Sequence, residues 1–528
     1  MGQGAGKGMK ALLMHRDRDF DSQQASPWNV QQLIQDLDLD TLLRAMAGDD
    51  EFLFEVSRKA LVCGTGNGIE TILHRQEGLK DCLENAPVIR EMYDLVVDSI
   101  EATRRQTWGI TSHYPSSMLY SATDLLEMLV GRLRQLRDTA TAHESKFKSE
   151  AFTRLFAMLR GELNEEYLES VQDHLTISKF KRGVLLSAEL GDCNESAGLV
   201  LRKGSDKRRN WFERLFRKGP PGYTFHLHER DEAGARIVTE MRNRGISRVA
   251  VALAESGDHV LSFFKMLRTE LGFYVACTNL HARLASKGEP ICFPRPVPAG
   301  QRRHHFQGLY DVCLSLRMEG RVVGNTGDGD GKSLIVITGA NQGGKSSFLR
   351  SVGVAQMMME CGMFVGAEAF QGEICSAVLT HYKREEDATM QSGKFDEELA
   401  RMNEIVKHVG PNATLLFNES FAATNEREGS EIARQIVTAL LEKQIRIFYV
   451  THLYEFAREC FERSNGNVLF LRAERNVDGT RTFKMLEGGP LETSFGEDLY
   501  RQIFGAEDVS ENGQPEGAAS ELGTAARN

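Results

Sequence analysis

A chain of 528 residues, 41% hydrophobic and 26% charged, is long and apolar enough to bury more than one core, which excludes a disordered or fibrous class and suggests two to four domains. Its formal charge of −10 excludes a uniformly basic nucleic-acid coat, so any contact with a polyanion has to be local. The nine cysteines stand singly, with no close pair to suggest a zinc ribbon or a redox dithiol, and fit a reduced cytosolic interior.

The chain opens on a segment, 1–28, whose apolar stretch Met9 to Met14 runs into His15-Arg16-Asp17-Arg18-Asp19 and is too short for a secretory signal. Gly6 stands where an N-myristoylation motif needs Ser or Thr, and no later run approaches the roughly 18 apolar residues of a membrane span. The expectation is a cytoplasmic protein, nucleoid-associated if bacterial, with no membrane partner. From Asn29 to about Ala142, Leu33, Leu37, Leu42, Leu43 and Met46 recur at helical spacing, and Leu125 to Leu168 reads as an extended helical arm.

Between about 176 and 240 the pattern changes to a small mixed insert. Val184-Leu185-Leu186, Leu199-Val200-Leu201 and Tyr223 to Leu227 read as short strands. Inside it, Lys203, Lys207, Arg208, Arg209 and Arg214 are interleaved with Trp211, Phe212 and Phe216, a composition suited to sequence-independent phosphate contacts; the plain alternative is a solvated loop. A long helix is expected from Ser247 to Lys287. After Pro294-Arg295-Pro296-Val297-Pro298 the alternation of strands and helices is that of an α/β domain. The expected division is a helical region with the mixed insert over 29–290, an α/β domain over 291–508 and a disordered tail over 509–528.

The chemistry concentrates in the α/β part. Ser333 to Thr338 is a buried-strand run followed at once by Gly339-Ala340-Asn341-Gln342-Gly343-Gly344-Lys345-Ser346 and a helical stretch from Ser347 to Cys361. That strand, loop and helix order is the context a P-loop needs: glycines turn backbone N–H groups around phosphate oxygens, Lys345 reaches the β and γ phosphates, and the Ser346 hydroxyl ligates Mg2+. A second strand, Ala413 to Phe417, ends in Asn418-Glu419, placing Glu419 to orient the attacking water. Asn418 stands where a Walker B strand carries an acid, so it offers an oxygen to the metal shell but no charge. A third strand, Ile445 to Val450, delivers Thr451-His452 to the same crevice, where His452 would sense the γ phosphate or position water.

At these motifs the sequence resembles the MutS family of DNA mismatch-repair ATPases. Thr338 to Ser347, with Asn341 two positions after the first glycine, is similar to that family's phosphate loop; Ala422 to Gly429 and Thr451-His452 fall on two further family segments. Ser392, Gly393, Lys394, Phe395 and Glu398 resemble the signature loop that reaches the partner subunit's nucleotide. Val322-Val323-Gly324-Asn325 resembles the segment lining the adenine, without the usual aromatic. Upstream, Gly68 to Glu77 resembles a helical core segment. The resemblance implies a multidomain fold, an all-helical lever and clamp with a small mixed insert followed by an α/β P-loop NTPase domain of ABC type, and a homodimer whose ATP and Mg2+ use closes a clamp on double-stranded DNA, possibly mismatched or branched. Because the helical region is reached within the first 30 residues, the family's mismatch-reading and connector domains are not expected within this sequence. A nucleotide-gated scaffold with little hydrolysis, because of Asn418, and an ATPase acting on structured RNA or the ribosome remain alternatives.

Overall fold

The computed structural model describes residues 9–106, 114–181, 183–192, 196–202, 223–384, 393–464, 466–476 and 479–491. The basic run from Lys203 to Arg214, Ser392 and the 509–528 tail lie outside them.

The N-terminal half is helical: α1 (Val30–Asp36), α2 (Leu39–Ala47), α3 (Glu51–Val62), α4 (Ile69–Glu84), α5 (Ala86–Gln106), α6 (Pro115–His143), α7 (Glu150–Glu162) and α8 (Glu165–Ser178). The expected continuous arm over 125–168 is broken after His143, because the buried Asp81 carboxylate accepts from the backbone N–H groups of Lys148 (2.9 Å) and Ser149 (2.7 Å) and turns the chain. Ser149 then caps α7 through Phe152 N.

The insert holds one antiparallel hairpin, β1 (Leu186–Leu190) with β2 (Ser196–Leu201). Tyr223 to Leu227, expected as a strand, forms none; Tyr223 and Phe225 are exposed. The long helix α9 (Glu232–Ser286) starts well before the expected Ser247, capped by Asp231 on Gly234 N. Gly245 hides that earlier start in the sequence, yet it belongs to the helix: a Cβ there would sit 2.4 Å from Leu186 of β1. At 55 residues α9 is about 80 Å long. It packs against α2, α3, α5 and α6, most deeply where Phe263 to Leu284 is buried.

The remaining elements are β3 (Arg295–Val297), β4 (His304–Leu309), α10 (Val312–Arg317), β5 (Asn325–Asp328), β6 (Leu334–Gly339), α11 (Lys345–Glu360), β7 (Ala369–Glu373), β8 (Val378–Tyr382), α12 (Lys394–His408), β9 (Thr414–Asn418), α13 (Glu426–Glu442), β10 (Arg446–Val450), α14 (Tyr454–Glu462), β11 (Val468–Arg475) and β12 (Arg481–Glu487). A six-stranded sheet runs β12-β11-β6-β10-β9-β8, parallel from β11 to β8 with β12 antiparallel at the edge; a four-stranded sheet runs β3-β7-β4-β5. Both faces of the large sheet are covered, so its strands are apolar runs without polar alternation. Leu334 and Val336 join the core under α12, α13 and α14, while Ile335 and Ile337 join a larger core with α11. That larger core runs without interruption from Ala11 through the helical half to β11, so it crosses the expected boundary near residue 290.

The opening segment is part of this core. Leu13 and Met14 are fully buried. The buried Glu270 carboxylate of α9 accepts from Leu13 N (2.6 Å) and Phe20 N (2.6 Å), and Tyr274 Oη donates to Leu13 O (2.7 Å). Arg75 of α4, 1% exposed, donates to Met14 O (2.9 Å) and to Cys361 O (3.2 Å), the carbonyl that ends α11.

Candidate nucleotide site

The site lies at the C-terminal edge of the parallel strands because the register brings three strand ends level: Val450 of β10 pairs with Ile337 of β6 and with Asn418 of β9. From β6 the chain enters the Gly339–Gly344 loop, and α11 begins at Lys345. Gly339 has φ +108° and its Cα faces Ala473 of β11 so closely that a Cβ would meet Ala473 N at 2.9 Å; Gly344 has φ +87°. Gln342 takes the left-handed region without being glycine. The loop and the α11 N-terminus border a cleft of about 500 Å³ lined by Asn341 to Phe348, Asn325, Glu419 and Phe483, with Leu309, Leu314, Met318, Val322 and Val323 on its apolar side.

Lys345 is buried and donates to the carbonyls of Gly339 (3.0 Å) and Ala340 (2.9 Å). Burial pulls its ammonium down to about 8, opposed by the Glu419 charge. A phosphate in the loop would replace these carbonyls as acceptor and hold the ammonium more firmly in its charged form. Ser346 Oγ donates to Asn418 Oδ1 at 3.0 Å, so the hydroxyl and the end of β9 face one point. Among the described residues no group of three or more His, Cys, Asp and Glu side chains is arranged to hold a metal. Two neutral oxygens beside a phosphate loop nevertheless fit Mg2+, which keeps most of its shell as water and phosphate oxygens.

Glu419 and His452 meet directly, Nε2 to Oε1 2.9 Å. The hydrogen bond from His452, then the charges of His452, Lys345 and Lys383, hold the Glu419 carboxyl below its ordinary range against an opposing burial effect. An ionised carboxylate of this kind is a weak proton acceptor but a firm hydrogen-bond acceptor, suited to orienting a water.

The remaining expectations divide. Asn325 is buried; its amide receives Met485 N (2.7 Å) and donates to Phe483 O (3.4 Å), so it fastens β5 to β12 as well as lining the cleft. Gly393 caps α12, and Lys394 and Phe395 form its first turn, so the described part of the segment read as a loop is helical; Phe395 is half-buried against this chain's own second core. Phe483, on β12 with φ +60°, was not found from sequence: it supplies the aromatic surface missing beside Asn325, and its Cβ and ring lie about 3.5 Å from where a side chain on Gly344 would be. Arg481 Nε also reaches Asn341 O (3.3 Å). Nothing in the local pattern of β12 marks either residue, since only tertiary pairing brings this edge hairpin to the loop.

These elements define a P-loop fold in which the phosphate loop, the β9 carboxylate and the β10 histidine converge. Residues 335–514 match the model of MutS domain V, and residues 67–287 match the model of the MutS2 N-terminal domain. The chain is 25% identical over 244 residues to the DNA mismatch repair protein MutS of Leuconostoc citreum, covering 45% of this chain and 28% of that protein. It is 22% identical over 395 residues to MutS of Streptococcus mutans, covering 71% and 46%. It is 27% identical over 149 residues to MutS protein homolog 4 of Mus musculus, covering 28% and 16%. The chain belongs to the MutS family. Its matched part spans less than half the length of each of these relatives.

Proposed function

We propose that the chain binds ATP with Mg2+ in the cleft, hydrolyses it slowly, and uses nucleotide occupancy to set the geometry of a helical clamp on double-stranded DNA in mismatch repair or recombination. The observation that carries the reading is the convergence of Lys345, Ser346, Asn418, Glu419 and His452 on one edge of the parallel sheet. The loop N–H groups and Lys345 hold the phosphates, Phe483 stacks on the base, and Glu419, held by His452, orients a water. Ser346 and, through a water, Asn418 would hold Mg2+, whose positive charge would offset the negative charge on the phosphate oxygens. The assembly is a homodimer in which Ser392, Gly393, Lys394 and Phe395 face the partner's nucleotide, and Lys203, Lys207, Arg208, Arg209 and Arg214 meet DNA phosphates. The 29–290 lever and clamp and the 291–508 ATPase are its working parts, acting in the cytoplasm.

The test is ATP turnover with and without duplex, mismatched and branched DNA beside Lys345→Ala. Stimulation by one DNA, lost in the variant, supports the reading; equal turnover in both proteins sinks it. A second reading, a nucleotide-gated scaffold, is favoured by the Ser346–Asn418 contact, which is neutral where a carboxylate would charge the metal shell. Asn418→Asp is then expected to raise kcat about tenfold or more, and an unchanged kcat counts against it.

A further inference from the structure

His381, on β8 beside Phe417 of β9, is fully buried and takes no part in the cleft. Its Nδ1 lies 2.7 Å from Ser420 Oγ and its Nε2 lies 3.0 Å from Glu398 O on α12. Ser420 Oγ is also 2.6 Å from the His381 carbonyl oxygen. Ser420 sits between Glu419 and Phe421, both non-glycine residues with left-handed φ of +55° and +63°. L-residues seldom adopt this conformation because Cβ crowds the following carbonyl oxygen, so this turn needs outside support. Tyr449 Oη donates to Ser420 O (2.9 Å), Glu419 N donates to Val450 O (2.9 Å), and the His381 ring stacks on Phe421.

Burial pushes the imidazole down to about 4, so the ring is neutral and carries one N–H. That single proton cannot serve both ends. With the proton on Nδ1, the ring donates to Ser420 Oγ, the hydroxyl donates to the His381 carbonyl, and the Nε2 lone pair opposes the Glu398 carbonyl. With the proton on Nε2, the ring holds Glu398, and the hydroxyl must turn to donate to Nδ1, leaving the His381 carbonyl. A shift of α12 that makes or breaks the Glu398 contact therefore changes what Ser420 bonds, one residue from Glu419.

We propose that His381 is a positioning residue for Glu419, tying the Asn418–Phe421 turn through Ser420 to α12 and so to the segment at Gly393–Phe395. The inference rests on reading Glu419 as the water-orienting carboxylate. It is tested in the full chain with His381→Asn, whose amide reaches only Ser420, His381→Gln, whose amide reaches only Glu398, and Ser420→Ala. Each is expected to lower kcat about ten- to a hundredfold with the Kd for ATP within about twofold of the parent, and to speed amide hydrogen exchange at 394–400 and 418–421. Unchanged kcat, or a Kd that rises in parallel with the loss of kcat, overturns the proposal. If the parent turns over too slowly to compare, exchange decides: equal protection of the 418–421 turn in parent and variants also overturns it. Failure of the underlying reading is seen separately, as a Glu419→Gln variant that turns over ATP as fast as the parent.

Discussion

The polar cluster at the sheet edge and the one around the opening segment are built on opposite principles. At the sheet edge, Lys345, Ser346, Asn418, Glu419 and His452 bond chiefly to one another and to loop carbonyls, and Lys345, Ser346 and Glu419 line an open cleft. Around the opening segment, Arg75, Glu270 and Tyr274 are sealed from solvent, and their bonds go mostly to fixed backbone groups of Leu13, Met14, Phe20 and Cys361, with one side-chain contact from Arg75 Nη2 to His15 Nε2 (2.9 Å). Polar groups that can change partners make a site; buried polar groups fixed mostly on backbone partners make a clasp. The two are mechanically joined, because α11 begins in the phosphate loop and ends at the carbonyl Arg75 holds.

That contrast can be broken at the clasp first. Arg75→Leu leaves buried carbonyls of Met14 and Cys361 without their donor, and a loss of about 3 kcal/mol or more is expected. Chemical denaturation measures it, and a loss under about 1 kcal/mol would show that the hub is dispensable. A second cut concerns pH. Burial raises the Glu270 carboxyl from 4.5 to about 7, so the folded state holds a proton there that the unfolded chain releases. Its contribution is complete below pH 4.5 and is lost as the pH rises to about 7, a swing of roughly 3 kcal/mol. Since the buried His15, pulled down to about 3, acts in the opposite direction, the readout is the difference between parent and Glu270→Gln. That difference should change between pH 4.5 and 7 and be flat above 8.

The smallest effect is expected at the cleft's aromatic wall. Phe483→Ala removes a stacking surface and should weaken ATP about tenfold while leaving kcat nearly unchanged and stability untouched. A drop in kcat alone would instead assign the ring to the chemistry.

How much of this was legible beforehand follows from range. Strands β6, β9 and β10 announce themselves as unbroken apolar runs, and the Gly339–Ser346 loop follows the first directly, so the motifs and their common edge could be read from local pattern. Phe483 and Arg481 come from an edge hairpin far along the chain. Their approach to the loop depends on β12 pairing with β11, which local periodicity does not encode. The early start of α9 was masked by Gly245, whose reason is a contact with Leu186 some 60 residues away. The broken arm after His143 depends on Asp81, equally distant in the chain.

By itself, then, the sequence determined the phosphate loop, the strand-end carboxylate and histidine, and the succession of a helical half and an α/β half, because each is written in neighbours or in a single period. Tertiary structure alone decided that residues 9–20 clasp α9 and α4, that Phe483 completes the cleft, and that His381 joins α12 to the Glu419 turn. Those depend on hydrogen bonds and packing between residues tens to hundreds of positions apart, where the partner of a buried polar group is chosen by the fold and not by its neighbours.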